Sequence, residues 1–471
     1  MHTRTHTLQY ELERLFPEAG DCLMDPVDCW AYGSDNSRLH AVPSAVVFPR
    51  TIESIVELVR LCRRTGTPLV VRGRGTGTTG AAVPMRGGVV VSMERRQDIL
   101  EIDPRNRWLV AQTGITNTAI QTAAARHGFF WPPDPTSSAF CTLGGNLACN
   151  AAGPRAVKYG TPRDNTLGLS AVIGTGHFIR TGVYTTKGVV GYDLTRLLIG
   201  SEGTLAVLTD ATLRLTPLPE SRRLLQAVYQ DVQSAALAVS RIMAQPVTPC
   251  ALEFMDGAAI AMIRDYADTA LPAQAGALLM IEVDGTAAQI PHLAGAVTQA
   301  AQGPGCLGIE QAETEEDAAR LWRTRKALSP ALRKVAPKKI NEDVVVPVSS
   351  IPQLIEGLQA LGRQYDVQIV NFGHAGNGNI HVNLLIDPED PRQMRAATQC
   401  LEEVFALVLR LRGTISGEHG IGWVKRDFVA RELDPAALQV MHDLQGVFDP
   451  DGIMNPGKSL PDIVHGLQTP E

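Results

Sequence analysis

The segment Gly73-Arg74-Gly75-Thr76-Gly77-Thr78-Thr79-Gly80 limits the folds open to this chain more than any other. It comes directly after an apolar run at 68–71 that reads as a strand. Consecutive glycine and threonine amides, with hydroxyls added, form a concave anion site. Positions 75–80 match the spacing G-x-G-x-x-G, a weak signal on its own. That fingerprint requires a helix next, with its N-terminus facing a pyrophosphate. Here the chain continues Ala81-Ala82-Val83-Pro84-Met85-Arg86-Gly87-Gly88 and then enters another strand, Val89-Val90-Val91-Ser92. Pro84 and the paired glycines leave no room for the helix, so Rossmann NAD binding is excluded. Without a Gly-Lys-Ser/Thr ending, the segment is not a kinase-type phosphate loop either.

A chain of 471 residues is too long for one core, and two or three domains are expected. With 44% hydrophobic and 20% charged residues it has an ordinary globular composition. A net charge of −6 and the lack of a basic stripe argue against a nucleic-acid partner. The eight cysteines are scattered with no C-x-x-C, against an iron–sulfur cluster, zinc ribbon or dithiol motif. The opening MHTRTHTLQYELERLF lacks an apolar signal region, and no run of 18 apolar residues occurs. A cytoplasmic location is expected, with peripheral docking on the inner face of a membrane left open.

Periodicity gives a coarse map. Residues 7–16 and 52–64 read as helices, the second capped by Thr51 and ended by Gly66; 45–48, 68–71, 88–92, 108–112 and 169–173 read as strands. The stretch 204–215 alternates, and Pro217-Leu218-Pro219 closes it like a domain boundary. Beyond it, strands at 224–228, 277–283, 367–370 and 380–385 alternate with alanine-rich helices, the pattern of a second α+β domain.

Two further small-residue regions accompany the glycine loop. One runs from Pro132-Pro133-Asp134-Pro135-Thr136-Ser137 through Thr142-Leu143-Gly144-Gly145-Asn146 to Asn150-Ala151-Ala152-Gly153; the other is Gly200-Ser201-Glu202-Gly203-Thr204-Leu205. Three such regions in one domain suggest a large, flat, extended cofactor. Together with Gly191-Tyr192-Asp193-Leu194-Thr195-Arg196 and the histidine segments at 374–381 and 416–420, they resemble the vanillyl-alcohol-oxidase-type flavoproteins. The branch resembled is the FAD-linked D-2-hydroxyacid dehydrogenases: D-lactate dehydrogenase, D-2-hydroxyglutarate dehydrogenase and the glycolate oxidase flavin subunit. The likeness runs from about residue 40 to Lys458.

The resemblance implies an α+β fold. A two-part FAD-binding domain would fill 1–218, with subdomains at about 40–100 and 105–218. A substrate (cap) domain with an antiparallel sheet would fill 219–430, and a tail, 431–471, would return toward the flavin. Arg74, Gly75, Thr76, Gly77 and Thr78 would hold the FAD pyrophosphate. Pro132, Asp134, Ser137, Gly144, Gly145, Asn150 and Gly153 would line the flavin and ribityl chain. Glu202 and Gly203 would hold the adenine–ribose end, and Asn455 would belong to the cofactor-binding set. The glycine loop has no histidine, so FAD is expected to be non-covalent.

The segments His374-Ala375-Gly376-Asn377-Gly378-Asn379-Ile380-His381 and Ser416-Gly417-Glu418-His419-Gly420 carry the chemistry. A glycine turn folds His374 back beside His381, and Glu418 arrives from a separate loop. Two imidazoles and a carboxylate suit zinc or another divalent first-row metal and leave coordination positions open. His419, free of the metal, is placed as the base. The bland alternative is hydrogen-bonded histidines in tight turns. The resemblance implies the same roles: His374, His381 and Glu418 as ligands, His419 as catalytic base. It also makes Arg325 the bidentate partner of a substrate carboxylate. Asn383 and, more weakly, Lys339 are candidate substrate contacts.

The activity implied is FAD-dependent, metal-assisted oxidation of a small 2-hydroxy acid, D-lactate first, with glycolate and D-2-hydroxyglutarate as alternatives. Electrons would pass to a quinone, a cytochrome or an electron-transfer flavoprotein. A homodimer stays open. From another class, a metallohydrolase would use the histidine cluster but leaves the three upstream glycine regions unexplained.

Overall fold

A computed structural model describes residues 2–264, 271–323, 328 and 338–462, with the backbone only at 2–7 and 338. It divides the chain into two compact units. The first comprises Met1–Ala152, Thr161–Leu218 and Glu418–Glu471; the second comprises Gly153–Gly160 and Pro219–Gly417. The second unit thus ends at Gly417, not near 430, and takes in a short insert from the middle of the first.

The first unit holds two main sheets. Strands β1 (Cys22–Leu23), β2 (Ala45–Val47), β3 (Leu69–Arg72) and β4 (Val89–Ser92) form one, in the order β1-β2-β4-β3. The pairs β2–β4 and β3–β4 are parallel. The helix Ile52–Thr65 makes the crossover. Thr51 Oγ1 accepts the Ser54 amide at its start, and Gly66 ends it with φ +64°, as the sequence leads one to expect. Its buried face, Ile55, Leu58, Val59, Leu61 and Cys62, packs with Leu69, Val89 and Val91. Between β3 and β4 lies the glycine loop, and no helix forms there.

The other main sheet has the order β5-β6-β10-β8-β9, with β5 (Ile99–Asp103), β6 (Trp108–Gln112), β8 (Thr166–Ile173), β9 (Phe178–Gly182) and β10 (Ala206–Arg214). All its pairs are antiparallel. A short ribbon of β7 (Phe129–Phe130) and β11 (Thr216–Pro217) stands apart. The alternation at 204–215 suggests a strand with one wet face, but β10 is buried at every position except Arg214. It is the central strand, covered on both faces. Its polar residues survive burial by pairing: Arg96 Nη2 donates to Asp210 Oδ1 at 2.9 Å, and Thr209 Oγ1 donates to Asp210 Oδ2 at 2.9 Å.

The second unit is built on seven strands: β12 (Ser221–Tyr229), β13 (Ala251–Asp256), β14 (Ala277–Gly285), β15 (Cys306–Gln311), β16 (Lys338–Val345), β17 (Gln368–His374) and β18 (Asn379–Ile386). Their order is β15-β12-β14-β13-β17-β18-β16, antiparallel throughout. Helices Val232–Ala244, Ile290–Ala301, Ile351–Tyr365 and Pro391–Arg410 pack on one another and on this sheet. A second cluster gathers Ile260 and Ile263 of helix Gly257–Arg264 with Met255, Leu278, Met280, Val370 and Leu385. Among the described residues, no helix is long and apolar enough to cross a membrane.

Candidate active site

The register of the seven-stranded sheet assembles the histidine site. Residues directly opposite each other on antiparallel strands share a face. One row is Asp343–His381–Phe372, the next is Asn341–Asn383–Val370, and Lys339 pairs with Leu385 one step further. Glu253 lies opposite His374. The sequence candidates His374, His381, Asn383 and Lys339 therefore belong to one face, joined there by Glu253, Asn341 and Asp343.

The turn between β17 and β18 brings the two histidines together. Residues Ala375–Asn377 make a single 3-10 turn, and Gly378 reverses the chain at φ +75°. A Cβ at Gly378 would lie 1.9 Å from the Val346 carbonyl oxygen, so no other residue fits there. The imidazoles of His374 and His381 stand edge to face, centroids 5.2 Å apart. Both are buried.

Glu418 comes directly after the last residue of this unit. Asp343 anchors that junction: its Oδ2 accepts the Gly417 amide at 2.9 Å and its Oδ1 the Ser416 hydroxyl at 3.2 Å. His374 and His381 offer two imidazole nitrogens within this unit, and Glu418 opens the next segment of chain with a carboxylate. Two imidazole nitrogens and a carboxylate oxygen are the donor types found in catalytic zinc sites that keep a position open. Glu253, buried beside His374, takes the ring Nδ1 in a short 2.5 Å contact. A carboxylate there fixes the tautomer that leaves Nε2 to face a metal.

Glu253 and Asp343, which hydrogen-bond His374 and the Ser416–Gly417 segment, are marked by no sequence motif. A carboxylate inside the apolar run Ala251-Leu252-Glu253-Phe254-Met255 is itself a signal, because burying it is costly without a partner. Arg325 lies outside the described residues.

The cofactor candidates other than Gly153 lie in the first unit. Among the described residues, no main-chain carbonyl accepts the amides at 74–79. Thr78 Oγ1 is buried without a hydrogen-bond partner, and a Cβ at Gly77 would meet nothing nearer than Asp35 Oδ2 at 3.9 Å. Free donors around open space suit a pyrophosphate. Arg74 pairs with Glu94 at 3.3 Å. Pro132 is buried, Asp134 donates its amide to the Ala152 carbonyl, and the Ser137 carbonyl accepts the amides of Phe140 and Cys141. Thr142 Oγ1 caps the helix Leu143–Cys149 through the Gly145 amide, and Gly144 packs against Thr113. Gly153 falls in the second unit's insert.

Three side chains in this set are spoken for by the protein, a use the sequence does not reveal. Asn150 Oδ1 accepts the Arg163 amide at 3.1 Å. Asn455 Nδ2 donates to the Ala81 and Glu202 carbonyls at 3.0 and 2.6 Å, beside Gly203. The Glu202 carboxylate, expected at an adenine–ribose end, accepts the amides of Ile421 and Gly422 and the hydroxyl of Ser459. Lys458 is buried and donates to the carbonyls of Ala81 and Val83 and to Asn455 Oδ1. Its burial pulls the ammonium pKa down to about 8, with Glu202 and Asp35 opposing.

Comparison with known proteins supplies the class. Residues 218–459 match the family described as FAD linked oxidases, C-terminal domain, and residues 43–182 match an FAD binding domain. The chain is 37% identical over 421 residues to the glycolate oxidase subunit GlcD of Bacillus subtilis, covering 89% of this chain and 90% of that one. It is 33% identical over 449 residues to a D-2-hydroxyglutarate dehydrogenase of Stutzerimonas stutzeri, covering 94% and 96%. Against a D-lactate dehydrogenase of Anaerostipes hadrus it is 32% identical over 426 residues, covering 89% and 90%. Among solved structures, p-cresol methylhydroxylase with substrate bound superposes with a TM-score of 0.81 over 98% of both chains at 17% identity, a likeness of fold. This protein is an FAD-linked oxidoreductase. It belongs to the FAD-linked oxidase family, on a vanillyl-alcohol-oxidase-type fold.

Proposed function

We propose that the chain oxidises a D-2-hydroxy acid, D-lactate first, to the 2-oxo acid with the help of a divalent metal, zinc being the best match to the donors. The observation that carries this reading is the buried edge-to-face pair of His374 and His381, with Glu253 holding the first. The names of the relatives support the substrate class: glycolate, D-lactate and D-2-hydroxyglutarate all pair a carboxylate with an adjacent hydroxyl. A metallohydrolase would need the histidine cluster but not the FAD-binding domain.

His374, His381 and Glu418 would hold the metal, and residues 74–78 with Thr142's capped helix would hold non-covalent FAD. Bound there, the metal would supply positive charge for the substrate's hydroxyl and carboxylate, and FAD would accept the hydride leaving C2. His419 takes the hydroxyl proton as the C2–H bond breaks and the C=O bond forms. Asn383 and Lys339 lie along the face that carries His381 and orient the acid, and Arg325 is the partner of its carboxylate. Two electrons leave the reduced protein for a quinone, a cytochrome or an electron-transfer flavoprotein.

Anaerobic titration of the yellow protein tests this. D-lactate, L-lactate, glycolate and D-2-hydroxyglutarate are added separately, each before and after chelator treatment. Bleaching by a D-acid, lost with the chelator and restored by zinc, is the expected result. Bleaching indifferent to chelation would remove the metal from the reaction; no bleaching by any of the four would remove the substrate class.

A further inference from the structure

We propose that Glu202 is a positioning residue for His419, its carboxylate setting the turn that carries this base. The inference rests on the reading of His419 as the base and adds to it the device that aims it. All the residues involved lie in the first unit.

Glu202 sits in the loop before β10, 5% exposed and with φ +50°. Its Oε1 accepts the amides of Ile421 at 3.1 Å and Gly422 at 3.0 Å. Its Oε2 accepts Gly422 at 2.9 Å and the Ser459 hydroxyl. Thr79, the penultimate residue of the glycine loop, grips the same turn. Its carbonyl accepts the amides of Trp423 at 2.9 Å and Val424 at 3.1 Å, and its hydroxyl donates to the His419 carbonyl at 3.4 Å. Gly420 has φ +85°, and a Cβ there would lie 2.2 Å from Glu202 Oε1. The main chain after His419 is thus pressed against the carboxylate. A buried carboxylate is costly unless donors surround it, and here they come from the residues two and three positions beyond the base. A carboxylate offers acceptors only, so glutamine would turn an NH2 toward amide donors and release the turn.

The test uses the full-length, FAD-loaded protein and a double-mutant cycle. The rate of anaerobic flavin reduction by the most active 2-hydroxy acid is measured for wild type, Glu202→Gln, His419→Asn and the double variant. FAD affinity and hydrogen exchange at residues 420–423 are measured alongside. Expected are a loss of about 100-fold in E202Q, the size of effect a small misplacement gives, with FAD affinity retained and faster exchange at Ile421 and Gly422. Added to H419N, E202Q is expected to cost less than about twofold, because both act through one group. An unchanged rate in E202Q, or an equal loss in the H419N background, overturns the proposal alone. An unchanged rate in H419N overturns the base itself and the proposal with it. If E202Q does not fold, Gly420→Ala presses on the same carboxylate and takes its place in the cycle.

Discussion

At the scale of single residues, the metal role proposed for His374 depends on its partner Glu253. Glu253→Gln keeps the size of the side chain but loses the charge that fixes the ring. Outer-shell changes of this kind cost roughly 10- to 100-fold in metal affinity. Competition with a chromophoric chelator should show that loss in E253Q with little change in FAD content. An unaltered affinity would mean that Glu253 only fills a buried place beside the ring. His374, His381, Glu418 and His419 stand out in the sequence as candidates because glycine-rich turns flank them. Glu253 is 121 positions from His374 and touches it only through strand register. No local pattern could have joined the two.

The elements show a similar division. The helix Ile52–Thr65 announces itself through its cap, its apolar period and its terminal glycine, all local signals. The neighbourhood of β10 is harder to read, because burial of both faces depends on which strands become its neighbours. The junction of β13 with the helix Gly257–Arg264 gives a testable pH dependence. Asp256 Oδ1 accepts the Ala259 amide at 2.8 Å, and Oδ2 accepts the backbone and side-chain amides of Asn371. Burial nevertheless lifts its pKa from 3.8 to about 6. The folded state therefore keeps a proton that the unfolded chain gives up above about pH 4. Its stabilising contribution is full below that pH and lost as pH rises to about 6, a change on the order of 3 kcal/mol. Denaturant titrations of wild type and Asp256→Asn should show their stability difference moving toward the variant across that window and constant above it. Parallel curves at every pH would show that Asp256 does not hold a proton in the fold.

For the whole molecule, the family and the fold are legible because the cofactor domain repeats small-residue segments that only a large ligand explains. The division at Leu218/Pro219 is legible in Pro217-Leu218-Pro219, but the end of the second unit at Gly417 and its capture of residues 153–160 are not, since they depend on contacts distant in sequence. With no histidine in the glycine loop, acid precipitation of the holoprotein should leave all the FAD in the supernatant; a yellow pellet would point to an unforeseen covalent link. The three-part construction of the first unit also governs its birth on the ribosome. Strand β3 is flanked by residues near the end of the chain: the Leu69 amide donates to the Ile453 carbonyl, and the Asn455 amide donates to the Leu69 carbonyl. Leu69 and Met454 are 385 residues apart (454 − 69), roughly 20–80 s of synthesis at about 5–20 residues per second. Through that interval the nascent β3 has an open edge, while almost all of the second unit emerges as one continuous stretch, 219–417, and can fold first. A ribosome that stalls near the end of the message releases a chain with an unsealed strand, a ready substrate for chaperones or proteases.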